Sequence, residues 1–349
     1  MTSLTQIAIS ARRAIRYTVF GIIFLIVGKF VLDASVAIYL KIFPPPPPAP
    51  TIKFGKLTKI PFPKVDNPAK LSYTLETPQG GLPTDIPTQA KVFFMPKPNS
   101  SLLALDVAKE RAKAMGFTSD PIPESDTIYK FTNPNFPAMI EMNIISGTFS
   151  ISYDLSADRS PIALKPPVAE VAASEFRSLL SGANILPDDL SGPTTHVFYK
   201  LSSGKLDPAL SLSESDVVKI NLFRKNYDNL PSLTGSPNEG NVWAIVSGSS
   251  TREQQVIASE YHYYPVDETQ FSTYPLKTAA QAFSELQSGS GFIADIGLNK
   301  DGDTLKIRRI YLAYFDPESE SDFYQPVYVF EGDNGFTAYL PAVTSTYYE

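Results

Sequence analysis

The run from Tyr17 to Phe43 is apolar at almost every position, and no other stretch of the chain resembles it. Residues 17–28 read YTVFGIIFLIVG without a charge; FVL follows Lys29 and ASVAIYL follows Asp33. These 27 residues exceed the roughly 20 that a helix needs to cross a hydrocarbon layer of about 30 Å. A cleaved signal peptide has a shorter apolar core followed by small residues. Here Lys41 and five prolines follow, which predicts an uncleaved signal anchor. Arg12, Arg13 and Arg16 precede the run, and such a positive flank keeps that end in the cytoplasm.

After Phe43 the pattern changes. PPPPPAP at 44–50 cannot continue a helix, because proline lacks the donor and clashes with the preceding turn. It predicts a polyproline II spacer, and Pro61, Pro63 and Pro68 prolong an extended linker over 44–68. Beyond it the periodicity alternates between 3.6 and 2, in the order helix, then strands. A strand is expected at 88–95 and a helix over 101–115, with Leu102, Leu105, Ala108, Ala112 and Met115 on one face and Gly116 as the stop. Strands follow near 127–132 and 138–154, the latter as two strands bending at Ser146-Gly147 or one hairpin. A second helix over 168–181, stopped at Gly182, precedes strands at 195–201, 217–227, 241–248 and 255–266. A third helix over 276–289 precedes strands at 292–298, 304–315, 326–332 and 336–343. Asn299–Asp303 and Asp333-Asn334-Gly335 are hairpin turn sequences, since Asn, Asp and Gly tolerate positive φ. The expected fold class is α+β: antiparallel sheets with helices packed on one face. The expected organisation is a tail (1–16), a span (17–43), the linker (44–68) and two outer domains (69–164 and 165–349).

Charge sharpens this division. Residues 1–43 hold five basic side chains and one acid, a net of +4; the whole chain is −6, so residues 44–349 carry −10. Nucleic acid and anionic lipid surfaces need a positive footprint, so the outer region suits neither. The chain has no cysteine, which removes disulfides, thiolate nucleophiles and cysteine metal sites together.

Lys29 and Asp33 fall near the middle of the span. A charge there costs roughly 2.5–3.5 kcal/mol on insertion scales. At i,i+4 the two can pair with each other, although base before acid is the weaker order. They can also reach a polar group on another transmembrane helix, and are therefore the candidate contact with a membrane partner. Tyr261, Tyr263 and Tyr264, in EYHYY, form a candidate ligand surface for glycan or peptide, because a tyrosine ring offers a broad apolar face with a polar tip. In a strand every second residue would instead face the core. His196 and His262 stand in expected strands without a GxSxG or HExxH pattern near them, and no catalytic, cofactor or metal site is expected.

Towards the C-terminus the elements YPLKTAAQAFSELQSG, TLKIRRIYLAYFD and QPVYVFEGDNGFTAYLPAV resemble the C-terminal part of the YycI/YycH regulators and the wider group of PepSY-like domains. The resemblance implies helices packed on twisted antiparallel sheets, no cofactor, and contact with a membrane sensor through the membrane helix and the outer domain. Pattern and resemblance together lead to one expectation: a single-pass, non-catalytic, extracytoplasmic regulator or scaffold in the cell envelope. An envelope glycan- or peptide-binding module is the alternative.

Overall fold

The computed structural model describes residues 4–42, 48–64, 70–202 and 204–349. It resolves into two compact units, Met1–Ala49 and Pro50–Glu349. The first contains one helix, α1 (Leu4–Ile42), 13 residues longer at its N-terminal end than the apolar run.

The second unit begins with β1 (Ser72–Leu75), β2 (Gln89–Phe94) and α2 (Ala104–Ala114). Next come β3 (Ile122–Pro123), β4 (Ile128–Thr132), β5 (Ala138–Asn143), β6 (Phe149–Tyr153) and α3 (Ala169–Gly182). Then follow β7 (Thr194–Ser202), β8 (Lys205–Pro208), β9 (Val217–Leu222), β10 (Ser232–Leu233) and β11 (Val242–Val246). The single turn α4 (Arg252–Gln255), β12 (Val256–Tyr261), β13 (Asp267–Pro275) and α5 (Ala279–Gln287) lead to the last strands. These are β14 (Phe292–Asp295), β15 (Thr304–Phe315), β16 (Phe323–Tyr324), β17 (Pro326–Gly332) and β18 (Thr337–Pro341).

Three sheets result. The nine-stranded sheet runs β3-β4-β5-β6-β12-β11-β9-β7-β8. Its row Ile140, Ile151, Ser259, Ala244, Ile220 faces α2 and α3. Those helices contribute Ala108 and Ala112, and Ala172, Phe176 and Leu180, to the same core. The six-stranded sheet runs β1-β15-β17-β18-β14, with β10 also on β15. It is covered by α5 through Ala279, Ala282 and Leu286. A three-stranded sheet, β13-β2-β16, completes this second core.

The α+β class holds, with mixed sheets: β1 and β10 both pair with β15 in parallel. The chain's order is nested. Asp267 at the start of β13 pairs with Phe94 at the end of β2, so residues 95–266 are an insertion into a hairpin. We call this insertion the inner lobe and the segments around it the frame. The nine-stranded sheet therefore crosses the division expected at 164/165, because β6 pairs with β12. The physical reason is that β6 would otherwise present an open, half-apolar edge; β12 covers it.

Residues 44–47 and 65–68 of the expected linker, Phe43 of the expected span and residue 69 of the first outer domain lie outside the described residues. From Thr51 onward the chain is docked onto the frame, not spaced away from it. The Thr51 amide donates to Thr273 Oγ1 at 2.9 Å, Tyr274 Oη donates to the Gly55 carbonyl at 3.0 Å, and Leu57 is fully buried. Helix α2 buries Ala108 and Ala112 of the expected face, with Met115 at its C-cap, but begins at Ala104, so Leu102 lies before it. Ala104, Ala108 and Ala112 point inward while Leu102 is fully exposed. At the end of α3 the left-handed residue is Asn184 (φ +55°), not Gly182.

Candidate functional site

Two places carry the chemistry that the sequence singles out: the charged turn of α1, and the region around the tyrosines that follow β12.

Between Ile9 and Leu40 helix α1 has a mean hydropathy of 2.2 over its most apolar window and no buried position there. It is long and apolar enough to cross a membrane. Nothing in its own unit covers Phe20, Phe24, Leu25, Phe30 or Leu32, all more than half exposed. Lys29 and Asp33 stand one turn apart in this apolar stretch. They are absent from the ion pairs formed among the described residues, so the self-satisfied pair is not made.

Of the tyrosine stripe, Tyr261 is buried, and Tyr263 and Tyr264 are partly buried. β12 ends at Tyr261, so strict alternation stops there. Tyr261 is 6% exposed and stacks on Phe149 at 4.9 Å, and its hydroxyl donates to the Ile185 carbonyl at 2.7 Å. Tyr263 Oη donates to Asp189 Oδ1 at 2.9 Å. Tyr264 is half-buried in a cluster with Phe93, Tyr227, Tyr314 and Tyr324. Burial pushes the phenols of Tyr261, Tyr263 and Tyr264 above their ordinary value.

At the centre of this region sits Arg224, 1% exposed. Its Nη1 donates to Asp189 Oδ2 at 2.5 Å, its Nε to Asp316 Oδ1 at 2.8 Å, and its Nη2 to the Tyr264 carbonyl at 2.5 Å. The ring of Tyr263 lies 4.3 Å from the guanidinium carbon. Asp189 further accepts from Tyr227 Oη at 2.7 Å. Burial opposes the charge on Arg224, but Asp316 and Asp189 outweigh it and hold the guanidinium well above its ordinary pKa. Gly192 admits this arrangement: a Cβ there would collide with the Arg224 carbonyl. The cluster joins three segments of the inner lobe, around Asp189, Arg224 and Tyr263, to Asp316 and Tyr324 of the frame. Chemically it is a clasp. The guanidinium is chelated by two carboxylates and a carbonyl, with rings on its flanks.

His262 lies outside the clasp. Its Nε2 is 3.0 Å from Glu260 Oε2. Hydrogen bonding to Glu260, opposed by burial and assisted by the charges of Glu260 and Glu318, raises the imidazole above its ordinary value near 6.5. The folded state therefore binds this proton more tightly than the unfolded state. The stabilisation is fully present below about pH 6.5 and is lost as pH rises through the raised pKa. His262→Gln is expected to flatten that slope in denaturation titrations between pH 6 and 8. The change is expected to be under about 1 kcal/mol because the pair is partly exposed; an unaltered slope would assign the pH dependence elsewhere.

An open cleft of about 970 Å³ lies between the end of α5 and the Asn299–Asp301 turn, lined by Leu71, Tyr73, Leu286 and Ile293. Its carboxylate, Asp301, accepts from the Lys70 amide at 2.6 Å. Among the described residues no group of three or more His, Asp or Glu side chains converges as metal ligands do.

No family model matches the chain, and no curated protein matches it. Two solved structures are similar. One is an uncharacterized protein from Eubacterium rectale, 14% identical with a TM-score of 0.40, covering 80% of this chain and 90% of that one. The other is the C-terminal domain of Bacillus megaterium YpeB, 12% identical with a TM-score of 0.32, covering 71% of this chain and 95% of that domain. Similarity at this level carries no functional argument.

The structure thus keeps Lys29 and Asp33 exposed, buries Tyr261 and leaves Tyr263 and Tyr264 partly exposed. Sequence reading passes over Arg224, Asp189 and Asp316. One signal for Arg224 was present. At period 2 it continues the face of Ile220 and Leu222, so a charge is due at an inward position.

Proposed function

We propose that this chain is a single-pass membrane protein with a cytoplasmic N-terminus and its folded unit outside. It acts without catalysis, as a regulator or scaffold that contacts another membrane protein. The observation that carries the reading is α1, whose uncovered apolar run from Tyr17 is preceded, within the same helix, by three arginines and is followed in the chain by a large acidic α+β unit. Lipid is the environment that satisfies such a surface, and the arginine flank sets the orientation. The resemblance of the C-terminal strands to the YycI/YycH regulators favours contact with a membrane sensor. The clasp favours a non-catalytic role, since both of its carboxylates are buried and held by Arg224, Asp189 also by the hydroxyls of Tyr227 and Tyr263. The burial of Tyr261 and the partial burial of Tyr263 and Tyr264 weigh against the glycan-binding alternative.

After an alkaline carbonate wash the chain is expected in the membrane pellet, and detergent extraction after in-membrane cross-linking is expected to recover it with a membrane protein. Release of the intact chain into the wash would overturn the anchor. Retention of the chain with glycan as its sole companion would overturn the regulator reading.

A further inference from the structure

We infer that two copies of this chain pair side by side in the membrane through reciprocal Lys29–Asp33 bridges. The inference rests on the anchor reading above. In a lone helix both charges project into hydrocarbon, because the intrahelical pair is not made among the described residues and the other side chains one turn away (Leu25, Ile26, Leu32, Phe30, Val36, Ala37) are apolar. Intramembrane charges at such depth face a partner helix or a water-filled cavity. A second copy fits by charge complementarity. Copies of one chain insert with the same orientation, so Lys29 of one helix lies one turn from the depth of Asp33 of the other, on the facing side. A two-fold axis along the pair then forms the bridge twice. The axial offset of four residues is about 6 Å, which the four-carbon lysine stem can follow. At 3.6 residues per turn, Ile22 and Val36 lie on the face of Lys29 and Asp33, whereas Val31 lies opposite; all three are more than half exposed. An isologous contact on the Ile22 face leaves Val31 in lipid.

The absence of cysteine from the chain makes the test clean. Single substitutions Ile22→Cys, Val36→Cys and Val31→Cys are placed in the full-length chain, oxidised in native membranes, and scored for disulfide-linked dimer. Strong cross-linking at Ile22→Cys and Val36→Cys and little at Val31→Cys is expected. Adding Lys29→Leu or Asp33→Leu to Ile22→Cys is expected to lower dimer yield about three- to thirtyfold, the range of polar contacts between membrane helices. Neither leucine variant can form an intrahelical pair. Co-expressed, however, they restore one interchain bridge, and mixed dimer is expected to exceed either homodimer. Equal cross-linking on both faces, no gain on mixing, or cross-linking to a different protein in place of a second copy would overturn the pairing. A carbonate wash on the same membranes separates the two failures: a pelleted chain without cross-links refutes the pairing alone, and a released chain refutes the anchor.

Discussion

Arg224→Met is expected to lower the unfolding free energy of residues 50–349 by about 3–5 kcal/mol, because it leaves two buried carboxylates without their shared cation. Asp316 is 6% and Asp189 is 8% exposed, so water cannot substitute for the guanidinium at either. The substitution also removes the donor to the Tyr264 carbonyl and the cation beside the Tyr263 ring. A loss of this size separates two views of the cluster. If the clasp holds the inner lobe to the frame, denaturant titration shows a large fall in midpoint. Replacing Arg224, Asp189 and Asp316 together by apolar residues of similar volume then recovers much of it, since a fully apolar cluster has no desolvated charge. A fall below about 1 kcal/mol for Arg224→Met would show that the carboxylates reach solvent and that the clasp is not structural.

Cleaving the chain at an engineered protease site between Leu164 and Lys165 is expected to leave the two pieces associated until denaturant is added. β6 on one side of the cut pairs with β12 on the other over four residues, from Ser152–Ala258 to Phe149–Tyr261. β1 and β2, also N-terminal to the cut, pair with β15, β13 and β16 of the C-terminal piece. Two independent domains, as the alternating helix-and-strand pattern suggests, would separate on a sizing column without denaturant. That separation would contradict the nested topology.

These contrasts mark where the sequence is informative. Long periodic elements were legible: β15 and β17 are found where apolar alternation places them, and the Asp333-Asn334-Gly335 turn adopts positive φ at Asn334 and Gly335. Partner choice was not legible, because period 2 tells which face is buried but not which strand lies alongside. β1 and β13 escaped notice for a related reason. Ser72–Leu75 is short and is a strand because β15 supplies its hydrogen bonds, and β13 opens on the polar stretch Asp267–Gln270 before its regular pairing with β2 from Phe271. The docked segment from Thr51 reads as linker because prolines surround its few apolar anchors, Leu57 and Ile60. Of the site residues, Lys29 and Asp33 were evident because charge in an apolar run needs no tertiary context to be anomalous. The surroundings of Tyr263 and Tyr264 were not legible, because β12 ends before them and Pro265 follows, so strand alternation no longer assigns their faces.

The side of the membrane on which residues 50–349 fold decides the whole account, and cysteine labelling reads it directly. Leu210→Cys, at a position 96% exposed in the folded unit, is expected to react with a membrane-impermeant maleimide added to whole cells, whereas Ser10→Cys is expected to react only after the cells are opened. The reverse pattern, or equal protection of both positions until lysis, would place the folded unit inside and remove the basis for an envelope role.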